Sequence, residues 1–183
     1  MTAVPGKVFG IGLNKTGTIS LHEALETLGL RSLHWGGPEV RLTIERARDE
    51  GRPLVDDLDG YDAFSDILVL SENFALLDAQ YPGSRFVLTT RPVEEWVESR
   101  RRHVERNRRR RDAGEYDGTF LEIEPDAWRA EFAAHHEAVH RYFDGRDDLL
   151  VLRITEGEGY ERLCPFLDRP DPGTPFPFRH RSG

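Results

Sequence analysis

The densest chemistry in this sequence lies between Phe9 and Leu21, FGIGLNKTGTISL, where Lys15 is followed directly by Thr16, Gly17, Thr18, Ile19 and Ser20. Lys15 brings a full positive charge, and Thr16, Thr18 and Ser20 bring hydroxyl donors. Gly17 lets the backbone approach a ligand closely. A short apolar run, Lys7 to Leu13, precedes this turn and reads as a buried parallel strand. Leu21, Ala24, Leu25 and Leu28 follow at helical spacing, with Gly29 as the stop. A helix amino terminus offers unpaired N–H groups and partial positive charge, so this arrangement is suited to a phosphate or a sulfate.

The nucleoside-triphosphatase loop is the obvious rival, but it requires G-x-x-x-x-G-K-[ST]. Asn14 precedes Lys15, and the glycine comes after the lysine, as K-T-G-T. No convincing acidic strand end awaits magnesium, so a small-molecule kinase is the alternative reading rather than the leading one. A second anion-binding candidate is Arg91, at the carboxyl end of the segment Arg85 to Thr90, RFVLTT. Pro92 then opens the next helix, whose inner face holds Val93, Trp96, Val97 and Val104.

Two further patterns compete. His136 to His140, HEAVH, matches the zinc-hydrolase motif, in which two histidines four apart share a metal, Glu137 acts as base and Glu158 or Glu161 completes the ligands. Helical periodicity puts Trp128, Phe132, Val139 and Tyr142 on one inner face, the histidines at its edge and Glu137 opposite, so the match is read as coincidental. From Arg100 to Arg111 the chain carries eight arginines and one glutamate. This run is read as a solvated helix end or mobile loop; the sharper alternative is an electropositive lip over a nearby site.

These residues must be positioned by a repeating order of elements. Beyond the first strand and helix, Ser32 to His34 reads as extended, Val40 to Glu50 as helical and Ala63 to Ser65 as a brief strand. Asn73 to Gln80 is helical, closed by Tyr81-Pro82-Gly83, and the strand Arg85 to Thr90 follows. Asp126 to Phe143 gives a long helix and Leu149 to Ile154 another buried strand. Alternation of this kind implies a three-layer α/β fold with a central, mainly parallel sheet flanked by helices, of the P-loop nucleotide kinase type. Ligands in such sheets bind beyond the carboxyl ends of the strands, where Lys15 and Arg91 both fall. The tail from Arg169 holds four prolines and is expected to be extended.

The size, 183 residues, fits one domain. Hydrophobic residues at 38% and charged residues at 32% suit a folded protein rather than a disordered one. A net charge of −8 argues against broad nucleic-acid binding. Cys164 is the single cysteine, which excludes an intramolecular disulfide and a cysteine-built zinc cluster. Met1 to Lys7 lacks the signature of a signal peptide, and no later run reaches membrane-spanning length, so the expected location is the cytoplasm.

Taken together, GLNKTGTISL, the YDAFSD segment at Tyr61 to Asp66, RFVLTTRPVEEWVES at Arg85 to Ser99, and GYERLCPFL with TPFPF near the end resemble the sulfotransferase family, in its compact bacterial-type members, over most of the chain and in order. The resemblance implies 3′-phosphoadenosine 5′-phosphosulfate (PAPS) as donor, with adenosine 3′,5′-bisphosphate (PAP) as product. Lys15, Thr16, Gly17, Thr18, Ile19 and Ser20 would hold the 5′-phosphosulfate, and Arg91 with Ser99 the 3′-phosphate. Many family loops have threonine where Ile19 stands, so only its backbone N–H is on offer. The implied reaction is in-line transfer of the sulfuryl group to a hydroxyl or amine of an acceptor, a small molecule, glycan, lipid or peptide, without a metal. Lys15 would stabilise the leaving oxygen. Asp66 and His34 are the candidate bases, with Asp66 preferred. A histidine has an ordinary pKa of about 6.5. The loops Trp35 to Asp59 and Arg100 to Glu124 would line the acceptor pocket.

Overall fold

The computed structural model describes residues 6–178. Five strands, β1 (Val8–Gly10), β2 (Ser32–His34), β3 (Ala63–Ser65), β4 (Arg85–Thr89) and β5 (Leu149–Leu152), form one sheet in the order β2-β3-β1-β4-β5. Every pairing is parallel. The helices are α1 (Thr18–Thr27), α2 (Gly37–Asp49), α3 (Leu68–Glu72), α4 (Phe74–Gln80), α5 (Val93–Asp112), α6 (Pro125–Tyr142) and α7 (Tyr160–Phe166), with single turns at Asp56–Leu58 and Ile154–Glu156. The α/β reading therefore holds, and the sheet is wholly parallel among the described residues.

The period-two pattern of the strands sorts the core into layers. Val8, Ala63, Val87, Leu150 and Leu152 point to one face, packing on Leu21, Ala24 and Leu25 of α1 and Leu163 and Cys164 of α7. Phe9, Phe64, Phe86 and Leu88 point to the other, packing on Ile44, Phe74, Leu77, Val139 and Phe143. Phe9 lies centrally there, stacked at 5.6 Å on Phe64 of one neighbouring strand and at 5.6 Å on Phe86 of the other. A third cluster, Leu13, Trp96, Val97, Val104 and Trp128, docks α5 and α6 beside the loop that follows β1.

Several boundaries differ from the sequence reading, each for a local reason. Strand β1 spans Val8–Gly10 rather than Lys7 to Leu13, since the chain leaves the sheet to build the Lys15 loop. Helix α2 begins at Gly37, with Pro38 in its first turn, rather than at Val40. The short α3 had no expectation attached to it. Pro92 stands just before the first residue of α5 instead of inside its first turn. The inner face of α6 ends on Phe143, 3% exposed, whereas Tyr142 is 36% exposed. Residues 169–178 carry no helix or strand, as their prolines imply; the rest of the expected extended tail lies outside the described residues. No helix among the described residues is long and apolar enough to cross a membrane.

Candidate functional site

Close packing and side-chain anchors hold the loop between β1 and α1. Thr16 is fully buried; its hydroxyl donates to the Leu13 carbonyl at 2.5 Å and so accepts the hydrogen of Thr89 at 2.7 Å. Trp96 of α5 donates its indole N–H to the Asn14 carbonyl at 2.7 Å, and His135 of α6 donates to the Ile11 carbonyl at 2.8 Å. Any side chain at Gly12 would run into the oxygens of Thr89. Gly17, at φ +101°, turns the chain into α1. The first N–H groups of α1 are thereby exposed to one concave surface.

Four non-glycine residues among those described adopt the left-handed backbone region: Asp168 at φ +51° after α7, and three that follow strands neighbouring one another in the sheet, Lys15 at φ +66° after β1, Trp35 at +59° after β2 and Asp66 at +59° after β3. Non-glycine residues reach this region infrequently, and such strain gathers at functional sites. Here it coincides with a cavity of about 1140 Å³ lined by all three.

That cavity also takes in Gly17, Thr18, Ile19, Ser20, His34, Arg91 and Ser99. Of the residues that the sequence assigned to donor binding or proton transfer, only Thr16 is absent from its wall. Its hydroxyl is committed inside the protein, so what it can offer a ligand is its backbone. Lys15 and Arg91 are joined directly: the Arg91 guanidinium donates to the Lys15 carbonyl at 3.2 Å and pairs with Glu95 at 2.9 Å. The Arg91 Nε is buried with no hydrogen-bond partner, as are Asn14 Oδ1 and Thr155 Oγ1 on the same wall. A buried unpaired donor costs about 1–3 kcal/mol. An anion beside Arg91 would remove that cost. Asn14 Oδ1 instead calls for a donor such as a ligand hydroxyl.

The two candidate bases stand together. Asp66 accepts a hydrogen bond from Thr18 at 3.1 Å, and its carboxylate lies 3.6 Å from His34 Nε2. His34 Nδ1 meets the Ser65 hydroxyl at 3.1 Å. Burial pushes the Asp66 carboxyl above the ordinary carboxylate range, against the opposing pull of the Thr18 hydrogen bond and the Lys15 charge. A carboxyl held this way accepts a proton more readily than a solvated one.

The HEAVH segment is built otherwise. His136 donates to the Phe132 carbonyl at 2.8 Å and accepts from Thr90 at 2.8 Å, so both ring nitrogens are occupied. Burial draws its pKa down to about 4. His140 is exposed, and Glu137 pairs with Arg141 on the surface. Among the described residues no three histidine, cysteine, aspartate or glutamate side chains gather as metal ligands.

The arginine run does not behave as a single object. It belongs to α5, not to a mobile loop. Arg102, His103, Arg106 and Arg110 line the cavity, which sequence reasoning gave only as the secondary option. The signal was available: Ser99, Arg102, Arg106 and Arg110 recur at three- and four-residue spacing, one stripe of a helix. A smaller cavity of about 410 Å³ lies at the amino-terminal end of the strands, near Lys7, Arg31 and Asp62, and gathers none of these groups.

The sulfotransferase domain family matches the chain over residues 7–116 and 114–183. "Ava biosynthesis cluster protein M" of Aspergillus versicolor is 29% identical over 210 residues, covering 93% of this chain and 79% of the relative.

Proposed function

Given that this chain belongs to the sulfotransferase domain family, we propose that it transfers the sulfuryl group of PAPS to a hydroxyl or amine of an acceptor, releasing PAP. The observation that carries the reading is the shared wall of one cavity by Lys15, the start of α1, Arg91 with its unsatisfied Nε, Ser99 and Asp66. Its volume, about 1140 Å³, exceeds the roughly 300–1,000 Å³ of a single-ligand pocket and leaves room for donor and acceptor together.

In this reading Lys15 and the backbone N–H groups of Thr16 to Ser20 receive the 5′-phosphosulfate. Arg91 and Ser99 receive the 3′-phosphate, which the planar arginine fork can grip with two parallel bonds. As the S–O bond to the donor breaks, charge grows on the bridging oxygen, which the Lys15 ammonium and the dipole of α1 stabilise in this reading. Asp66 takes the acceptor proton, and the His34 imidazole beside it steadies the carboxylate or relays the proton.

The test is calorimetry with PAP and with ATP, followed by turnover of the Lys15→Ala variant. PAP is expected to bind and ATP to bind far more weakly. Tight ATP binding without PAP binding would favour the kinase reading. Full turnover by a folded Lys15→Ala variant would remove the proposed role of the lysine.

A further inference from the structure

The cavity is strongly polarised in charge. Its wall carries six full cations, Lys15, Arg41, Arg91, Arg102, Arg106 and Arg110, against one acid, Asp66. The chain as a whole has a net charge of −8, so this concentration is opposite in sign to the rest of the molecule. Elsewhere on α5 three of the five arginines meet acids: Arg100 pairs with Glu131, Arg101 with Glu98 and Glu105, and Arg108 with Glu122. On the cavity wall Arg91 pairs with Glu95. Arg106 forms no ion pair among the described residues, and Arg110 donates only to the Glu115 carbonyl. Arg102 and Arg41 are exposed and pair with half-buried partners, Glu98 at 3.3 Å and Glu45 at 3.5 Å, surface pairs of the kind that is weak and readily exchanged.

The sulfuryl-transfer reading assigns two of these cations to the donor: both PAPS phosphates hang on one ribose, and Arg91 stands beside Lys15, its guanidinium on the Lys15 main-chain carbonyl. At about 1.5 Å per residue, Arg106 and Arg110 lie roughly 10 and 16 Å beyond Ser99 along α5. Trp35, on the same cavity wall, is 61% exposed despite its size and is held at φ +59° directly after β2. A strained backbone that presents a large exposed ring to a cleft is a feature that functional sites gather.

Resting on the sulfuryl-transfer reading above, we propose that the acceptor carries an anionic group, a carboxylate, sulfate or phosphate, on a planar apolar body. The Arg102–Arg106–Arg110 stripe with Arg41 receives the charge, and Trp35 receives the ring.

The experiment measures equilibrium binding of 6-hydroxy-2-naphthoate and of its methyl ester to the full chain saturated with PAP. These probes share the ring and the hydroxyl and differ in charge. The acid is expected to bind at least about tenfold more tightly than the ester. Arg106→Gln with Arg110→Gln is expected to reduce the difference severalfold while PAP still binds, and Trp35→Ala to weaken both probes alike. Equal binding of acid and ester, binding of neither, or a preference undiminished by loss of both arginines overturns the inference and leaves the sulfuryl-transfer reading standing. Failure of PAP itself to bind would instead remove the reading on which the inference rests.

Discussion

The Arg91 guanidinium donates to the main-chain carbonyl of Lys15 at 3.2 Å, joining residues 76 positions apart. One face of the fork thus holds the Lys15 loop, another is held by Glu95, and the buried Nε is left for a ligand. Arg91→Ala removes one anchor of the loop and the proposed phosphate grip. A hydrogen bond to a charged group contributes about 1.5–3 kcal/mol, so PAP affinity is expected to fall roughly ten- to a hundredfold. Arg91→Lys restores the charge but not the fork, and is expected to recover less than half of that loss on a free-energy scale. Calorimetry with PAP and with AMP checks the cause: the variants lose affinity for PAP and little for AMP, which lacks the 3′-phosphate.

As the proposed base, Asp66 is expected to set activity against stability. Its folded-state pKa is raised, so the folded protein binds this proton more tightly than the unfolded chain. Ionising the group therefore costs stability: the penalty is absent below the ordinary carboxylate range and grows as pH rises through the folded value. Asp66→Asn keeps a side chain that tolerates φ +59° and can still accept the Thr18 hydrogen bond. The variant is expected to melt at a higher temperature than the parent at pH 7.5, with the gap closing near about pH 4. Its turnover is expected to fall by about a hundredfold or more, the usual contribution of a general base. For the parent, kcat/KM should rise with pH through an inflection above the ordinary carboxylate value. A pH–rate profile alongside calorimetric melting tests both halves.

Much of this arrangement was legible in the sequence, because apolar periodicity and strand-end logic do not depend on distant contacts. Ala63 to Ser65 is read and observed with identical limits, and Lys15 and Arg91 fall at strand ends as expected. What was not legible depends on tertiary docking or on unannounced backbone states. Glycine signals a positive φ; Trp35 and Asp66 do not, so the strained turns after β2 and β3 left no trace. The stripe Arg102–Arg106–Arg110 is visible as spacing, but its direction is fixed only when Trp96 and Val104 dock beside Leu13. Tyr142 fits the inner-face period, yet α6 ends there: its hydroxyl reaches out to Asp78 at 2.8 Å and Phe143 turns into the core.

Thr16 separates binding from architecture. Its hydroxyl bridges Leu13 and Thr89 inside the protein and cannot also reach the cavity. Thr16→Val keeps the shape and deletes the bridge, leaving the Leu13 carbonyl short of a donor. A loss of about 1–3 kcal/mol is expected, read by urea unfolding. Thr16→Ser, which retains the hydroxyl, should recover most of it. If Thr16 serves the donor through its backbone alone, PAP affinity should change far less than for Arg91→Ala. A Thr16→Val variant that unfolds normally but loses PAP entirely would mean that the hydroxyl reaches the ligand.

Arg100 should behave unlike its neighbours in the run. Its guanidinium lies 4.6 Å from the Trp96 ring centroid, 5.0 Å from Trp128 and 5.1 Å from Phe120, and pairs with Glu131 at 2.8 Å. Its side chain is 10% exposed while that of Glu131 is 38% exposed, so truncating Arg100 leaves a carboxylate that water can still solvate. The loss is then mainly one of packing and of cation–π contact. Arg100→Ala is expected to cost about 2–3 kcal/mol, within the range for opening a cavity among aromatic rings. Arg100→Met fills the space and is expected to recover more than Arg100→Lys, whose ammonium must be desolvated without a plane to stack. Arg109→Gln, at an exposed position of the same run, should change stability by less than about 0.5 kcal/mol. Urea denaturation of these four variants decides whether the eight arginines act as one charged block or, as the packing implies, as residues assigned separately to core, cavity and surface.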